Sequence, residues 1–207
     1  MRMLALVSGL LTSACSVVGV RTTEEPPYDT VGHVGEVEIR VYAPRLAAEV
    51  LVAGTETDAR GAGFRKVAAY IFGANRGQAK IAMTAPVDQS QAKSETIAMT
   101  APVDQAREAD GQWRVRFFMP AGYTLATLPE PTDPAVHIVT VPAQTLAVLR
   151  YSGVATPTAV RDATARLTSA LAGSAWHIAG TPFSWFYDPP WALPPLRRNE
   201  AVVAVTG

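Results

Sequence analysis

The chain has 207 residues, enough for one well-packed domain and too few for two full ones. Its composition, 48% apolar and 17% charged, is that of a folded globular protein and excludes an intrinsically disordered chain. The 18 basic and 18 acidic residues cancel, and apart from Arg197-Arg198 no basic run occurs, so nucleic acid is excluded as the main partner.

The amino terminus opens on Met1-Arg2-Met3, a short basic start, followed by the apolar stretch Leu4 to Leu11 and then Thr12-Ser13-Ala14-Cys15. That succession predicts a secretory signal, with small residues ahead of the single cysteine. It resembles a bacterial lipoprotein signal, in which cleavage precedes Cys15 and the thiol carries diacylglycerol. The acyl chains then hold the protein on a lipid bilayer at about 0.8 kcal/mol per buried methylene. Ser16 follows the cysteine where inner-membrane lipoproteins carry Asp, so the resemblance implies the outer membrane, facing the periplasm. Residues 1–14 are expected as signal peptide and 15–27, ending in Glu-Glu-Pro-Pro, as a lipidated tether. A lone cysteine forms no internal disulfide, so stability rests on the core of residues 28–207. Other apolar stretches are too short or too interrupted to span a membrane.

Two stretches of that domain are alike: VEIRVYAPRLAAEVLVAG (Val37 to Gly54) and VHIVTVPAQTLAVLRYSG (Val136 to Gly153). Each combines a β-branched run, a proline-containing break, a second apolar run and a glycine, the pattern of two strands joined by a tight connection. Each leads into an amphipathic helix. The first carries Phe64, Val67, Ala68, Ile71 and Phe72 at helical spacing, the second Val160, Ala163, Leu167, Ala170 and Leu171. Strand-like sequence returns at Ile81 to Val87 and Thr96 to Val103 after the first helix, and at Trp176 to Tyr187 and Glu200 to Val205 after the second. Trp113 to Met119 reads as an extra strand between the halves. The order predicts an α+β fold, a distorted and mainly antiparallel β-barrel with two amphipathic helices, built from pseudo-duplicated β-β-α-β-β halves.

The nonapeptide IAMTAPVDQ occurs at Ile81 to Gln89 and again at Ile97 to Gln105. Alternation groups Ile81, Met83, Ala85 and Val87 on one face of a strand and Ile97, Met99, Ala101 and Val103 on one face of another. With the polar link Ser90 to Thr96, the two copies are expected to pair as an antiparallel hairpin. Pro86 and Pro102 each remove a ladder donor and belong at strand ends or edges.

Three motifs in order, AGFRKVAAYIFGANRGQAKIAMTAPV (Ala62 to Val87), IAMTAPV (Ile97 to Val103) and FYDPPW…LRRNE (Phe186 to Glu200), resemble the SOUL haem-binding protein family. The resemblance spans nearly all of residues 28–207 and implies a distorted barrel of two similar halves. It implies haem as cofactor, held in a shallow apolar cleft, with Arg60, Arg65, Lys66, Tyr70, Met83 and Met99 as ligand-facing positions. Trp185, Tyr187 and Trp191 are more distant candidates. Ala192-Leu193-Pro194-Pro195-Leu196 departs from the family, which more often has a bulky aromatic there.

Residue chemistry leaves these roles open. His33, His137 and His177 have no metal-ligand spacing, which argues against a structural zinc site, whereas haem needs one axial ligand or none. Met83 and Met99 suit either thioether contact or core packing. Arg60, Arg65 and Lys66 suit either a solvated helix face or propionate recognition. Phe183, Trp185, Phe186, Tyr187 and Trp191 suit either ring stacking or closure of the barrel. No nucleophile elbow, phosphate loop or dinucleotide fingerprint is present, and Glu38, Glu49 and Glu200 have no partner visible in sequence, so no enzymatic activity is assigned. Three readings follow: an anchored protein that binds haem or a related tetrapyrrole as buffer, carrier or sensor; a general small-ligand or protein-interaction module; or an enzyme acting on a bound tetrapyrrole.

Overall fold

The computed structural model describes residues 23–77 and 95–207. Met83 and the first nonapeptide lie outside these residues, as does the pairing expected between the two copies. So do Cys15 and the signal segment.

Among the described residues, twelve strands and two α-helices follow in chain order. Strands β1 (Tyr28–Val34), β2 (Val37–Tyr42) and β3 (Arg45–Val52) precede helix α1 (Glu56–Ile71). Then come β4 (Asn75–Arg76), β5 (Val103–Arg107), β6 (Trp113–Phe118), β7 (Glu130–Pro131), β8 (His137–Val141) and β9 (Gln144–Tyr151). Helix α2 (Pro157–Leu171), β10 (His177–Ile178), β11 (Phe183–Phe186), a single 3-10 turn (Pro194–Leu196) and β12 (Asn199–Thr206) complete the domain.

The main antiparallel sheet is an open half-barrel with the strand order β1-β2-β9-β12-β11-β5-β6-β3-β8, and β10 attaches to β12. Exchanging β2 with β8, β3 with β9, β5 with β11 and β6 with β12 reverses the order from β2 to β8 and leaves it unchanged. This is the pseudo-two-fold expected of duplicated halves. Pro44 and Pro142 break the ladder between β2 and β3 and between β8 and β9 because proline has no N–H to donate. The consecutive strands then pair across the halves, β2 with β9 and β3 with β8, not with each other. Trp113 to Met119 is therefore no extra strand: β6 is the counterpart of β12.

The strand expected over Thr96 to Val103 is overturned. Regular structure begins only at Val103, after the cis Ala101-Pro102 bond. Before it, the Ile97 N–H donates to the Ile71 carbonyl at the end of α1, and the Thr100 hydroxyl donates to the Phe118 carbonyl. These partners, distant in sequence, replace a ladder, and the alternation breaks with them. Ile97 enters the core beneath α1, whereas Ala101 enters the core inside the half-barrel.

Strand periodicity divides the apolar residues between the two faces. Val50, Val67, Ile71, Val115 and Phe117 join α1 to the sheet, and Ile39, Leu149, Leu167, Leu171 and Val203 do the same for α2. The inner face is filled by Tyr42, Phe118, Leu146, Trp185 and Val202. Helix α1 is rotated from the expected face: Val67, Ala68 and Ile71 are buried, but Phe64 and Phe72 are exposed. Gly63 takes the contact position, where a Cβ would lie 2.6 Å from the Val115 side chain.

Candidate functional site

Helix α1 begins where Thr55 accepts a hydrogen bond from the Asp58 N–H at 3.3 Å, and Glu56 and Asp58 add negative charge to its first turn. It ends before Gly73, whose φ of 115° suits glycine. The outward side of the helix's second half borders a shallow cleft of about 310 Å³, lined by Ala62, Arg65, Lys66, Ala69, Tyr70, Ala74 and Asp133. Small alanines form an apolar floor, and two cations stand at its edge. The Lys66 Nζ pairs with Asp133 Oδ2 at 2.6 Å, and a hydrogen bond from Lys66 holds the Asp133 carboxyl below its ordinary range.

Tyr70 forms the deep end of the cleft. Its ring is buried, its phenol donates to the Pro129 carbonyl at 2.9 Å, and burial pushes its pKa up to about 12. A phenol so held stays neutral, and its ring belongs to the core beneath the cleft. Met99 is partly buried against the same core cluster as Tyr70, Ile71 and Phe117.

Arg60 lies elsewhere. Its guanidinium stacks over the Phe186 ring at 4.5 Å and donates to the Ala155 carbonyl at 3.1 Å, so it braces α1 against the second half. Burial lowers its pKa. The carboxyl-terminal aromatics also separate from the cleft. Trp185 and Tyr187 sit inside the half-barrel, where Trp185 packs edge-on against Tyr42 and Phe118, while Trp191 is on the surface. His33, His137 and His177 are exposed on β1, β8 and β10. Among the described residues no group of three potential metal ligands occurs.

Sequence reading missed two features. Asp133 is far from Lys66 along the chain, and the β4–β7 pairing, with Thr132 bonded to the Ala74 carbonyl, brings its loop to the end of the helix. Glu200 is fully buried at the centre of a polar cluster. It accepts from both terminal nitrogens of Arg40 at 3.1 and 3.2 Å, from the Tyr187 phenol at 2.6 Å and from Arg198 Nε at 2.9 Å. Burial opposes the Arg40 and Arg198 charges, yet Glu200 beside them raises both pKa values above the usual arginine range. Tyr187 and Glu200 lie in the FYDPPW…LRRNE motif, so part of that motif is structural.

The cleft tests directly against a haem. A flat apolar ring with carboxylates would find small apolar residues, Ala62, Ala69 and Ala74, beside Arg65 and Lys66, with the Asp133 carboxylate also in the lining. Its volume is at the low end of roughly 300–1,000 Å³ for ligand pockets, so it would cover only part of such a ring.

Comparison with solved structures shows the fold to be shared at low identity. The EcmrR C-terminal domain has a TM-score of 0.53 and 10% identity over 86% of this chain and 98% of its own. The EcmrR–DNA complex gives 0.56 and 11%, over 82% of this chain and 56% of its own. A protein described as a hydrolase from Listeria innocua gives 0.52 and 13%, over 83% and 92%. No curated protein matches the chain. The SOUL heme-binding protein family matches residues 23–204, most of the chain and nearly all of the half-barrel. With that match over a barrel of two related halves, the chain belongs to the SOUL haem-binding protein family.

Proposed function

We propose that this protein binds haem or a related tetrapyrrole in the α1 cleft as a lipid-anchored buffer, carrier or sensor, and that it is not an enzyme. The observation that carries this reading is the juxtaposition of an apolar floor with Arg65 and Lys66 at one rim. The family's haem-binding character supports it. Ring contact with Ala62, Ala69 and Ala74 would supply most of the affinity. Arg65 would pair with a carboxylate bidentately and Lys66 as a point charge. Lys66 must leave Asp133 to do so, an exchange that costs little because that ion pair is substantially exposed. Bound haem would supply iron redox and gas-ligand chemistry, while the protein's residues hold and orient the ring. The signal-like segment through Cys15 supports an envelope location, with the domain facing the periplasm.

Haem titration of Arg65→Ala and Lys66→Ala variants, followed by the haem absorption band, tests the site. Each is expected to weaken binding about three- to tenfold, the worth of roughly 1 kcal/mol for a partly exposed pair. Unchanged affinity in the double variant would place the ligand elsewhere.

A further inference from the structure

The domain carries a surface apolar patch whose residues do not line the α1 cleft. Trp191 is 67% exposed, and Leu193 and Val154 are each 50% exposed. Ala192, between the first two, is buried, so Trp191 and Leu193 both point outward. The Gly153 N–H donates to the Pro194 carbonyl at 2.9 Å and brings Val154 to the same loop. Pro189, Pro190, Pro194 and Pro195 restrict the backbone around the patch. Arg197 ties the loop down, donating from Nε to the Ala192 carbonyl at 2.9 Å and from a terminal nitrogen to the Pro190 carbonyl. Solvent-facing tryptophan and leucine on a stiffened loop are costly in a purely aqueous setting and mark a contact surface.

The amino-terminal end of the described chain identifies what the patch meets. Glu25 accepts from Arg198 Nη1 through both carboxylate oxygens, each at 3.1 Å, and Arg198 directly follows the arginine that clamps the loop. Glu24, the residue before Glu25, accepts from the Ala101 N–H through its carbonyl and from the Ala121 N–H through its carboxylate, so the segment leading to Cys15 starts at the end of the half-barrel where β5 and β12 begin and β9 and β11 finish, the end that also carries the patch. From Cys15 to Thr23 an extended chain reaches no more than about 29 Å. A domain of this size is on the order of 40 Å across. So short a tether cannot carry the anchor round to the opposite face.

We infer that the Trp191–Leu193–Val154 patch is a membrane-docking surface, which seats the domain on the bilayer that holds its acyl anchor. Its partner is the interfacial region of a phospholipid leaflet, where tryptophan is favoured because an apolar ring and a polar N–H both find suitable surroundings. Arg197 is committed to backbone carbonyls and Arg198 to Glu25 and Glu200, so apolar insertion dominates and anionic lipid adds little. The inference rests on the anchor proposed at Cys15.

The test uses the full chain, purified from bacterial membranes and reconstituted into phosphatidylcholine vesicles with brominated acyl chains. Bromine quenches tryptophan fluorescence on contact. Wild type is expected to float with the vesicles and to lose part of its tryptophan emission relative to unbrominated vesicles. Trp191→Phe, which keeps the patch apolar, should float equally but lose most of that quenching. Failure of wild type to float would overturn the anchor and the docking surface together. Flotation without quenching, or with quenching equal in both proteins, would leave the anchor standing and overturn the docking surface alone. A Trp191-dependent dimer without quenching would assign the patch to a second copy and likewise overturn it.

Discussion

At the residue scale, Glu200 shows how a position with no visible partner in sequence becomes the centre of a site. Its neighbours come from β2, from the segment after β11 and from the start of β12, and only the pairing of β12 with β9, and of β9 with β2, brings Arg40 to it. Glu200→Gln keeps the shape but removes the buried counter-charge that two guanidinium groups share, leaving Arg40 only the more exposed Glu38 and Arg198 only Glu25. Breaking such a pair costs about 3–5 kcal/mol. Chemical denaturation should show a loss of that order, and a loss below about 1 kcal/mol would contradict the central role assigned to Glu200. The tyrosines set a limit at high pH. Burial raises Tyr42, Tyr70 and Tyr151 from 10 to about 12. Because the folded state holds these protons more tightly, the associated stability is full below pH 10 and is lost as pH rises through about 12. Melting temperature should therefore fall across that window as phenolate absorbance appears. Tyrosines that all ionise near pH 10 with the melting temperature unchanged would contradict it.

At the element scale, both helices and the strands from Val37 to Val52 and from His137 to Tyr151 were legible, because local periodicity and proline breaks specify them. The start of β5 was not. The alternation of Ile97, Met99, Ala101 and Val103 has the right period for a strand, but hydrogen bonds to Ile71 and Phe118, both distant in sequence, outweigh it. The rotation of α1 was equally hidden, since Phe64 is the more apolar choice and Gly63 is selected only by close approach to Val115. That approach makes Gly63→Ala a sharp test. Alanine gains up to about 1 kcal/mol in helix propensity, but its methyl would overlap a buried β-branched side chain, which costs typically 1–3 kcal/mol. Net destabilisation is expected, with a lower melting temperature and weaker ligand binding, because the helix that borders the cleft must move. A stabilised variant would show that α1 sits farther from β6.

At the scale of the whole molecule, the similarity of the two halves pointed to the pseudo-two-fold, but not to the crosswise pairing that makes one half-barrel of them. Of the positions implied by family resemblance, Arg65, Lys66 and Tyr70 gather at one cleft, whereas Arg60 turns towards the second half. Helical spacing explains the split, since five residues carry the chain about 140° around the axis from Arg60 to Arg65. The envelope location has its own test: in a bacterial host Cys15→Ala should abolish labelled fatty-acid incorporation and release the protein from membranes. Wild type that remains unlabelled would contradict the anchor. The central claim, haem binding by ring burial and rim cations, is tested most directly by titrating the purified full-length protein with haem. The absorption band should shift and saturate at micromolar concentration, and should do so equally when His33, His137 and His177 are each replaced by alanine. No saturable shift would contradict haem as the ligand, and a shift abolished by one histidine substitution would contradict binding without a histidine axial bond.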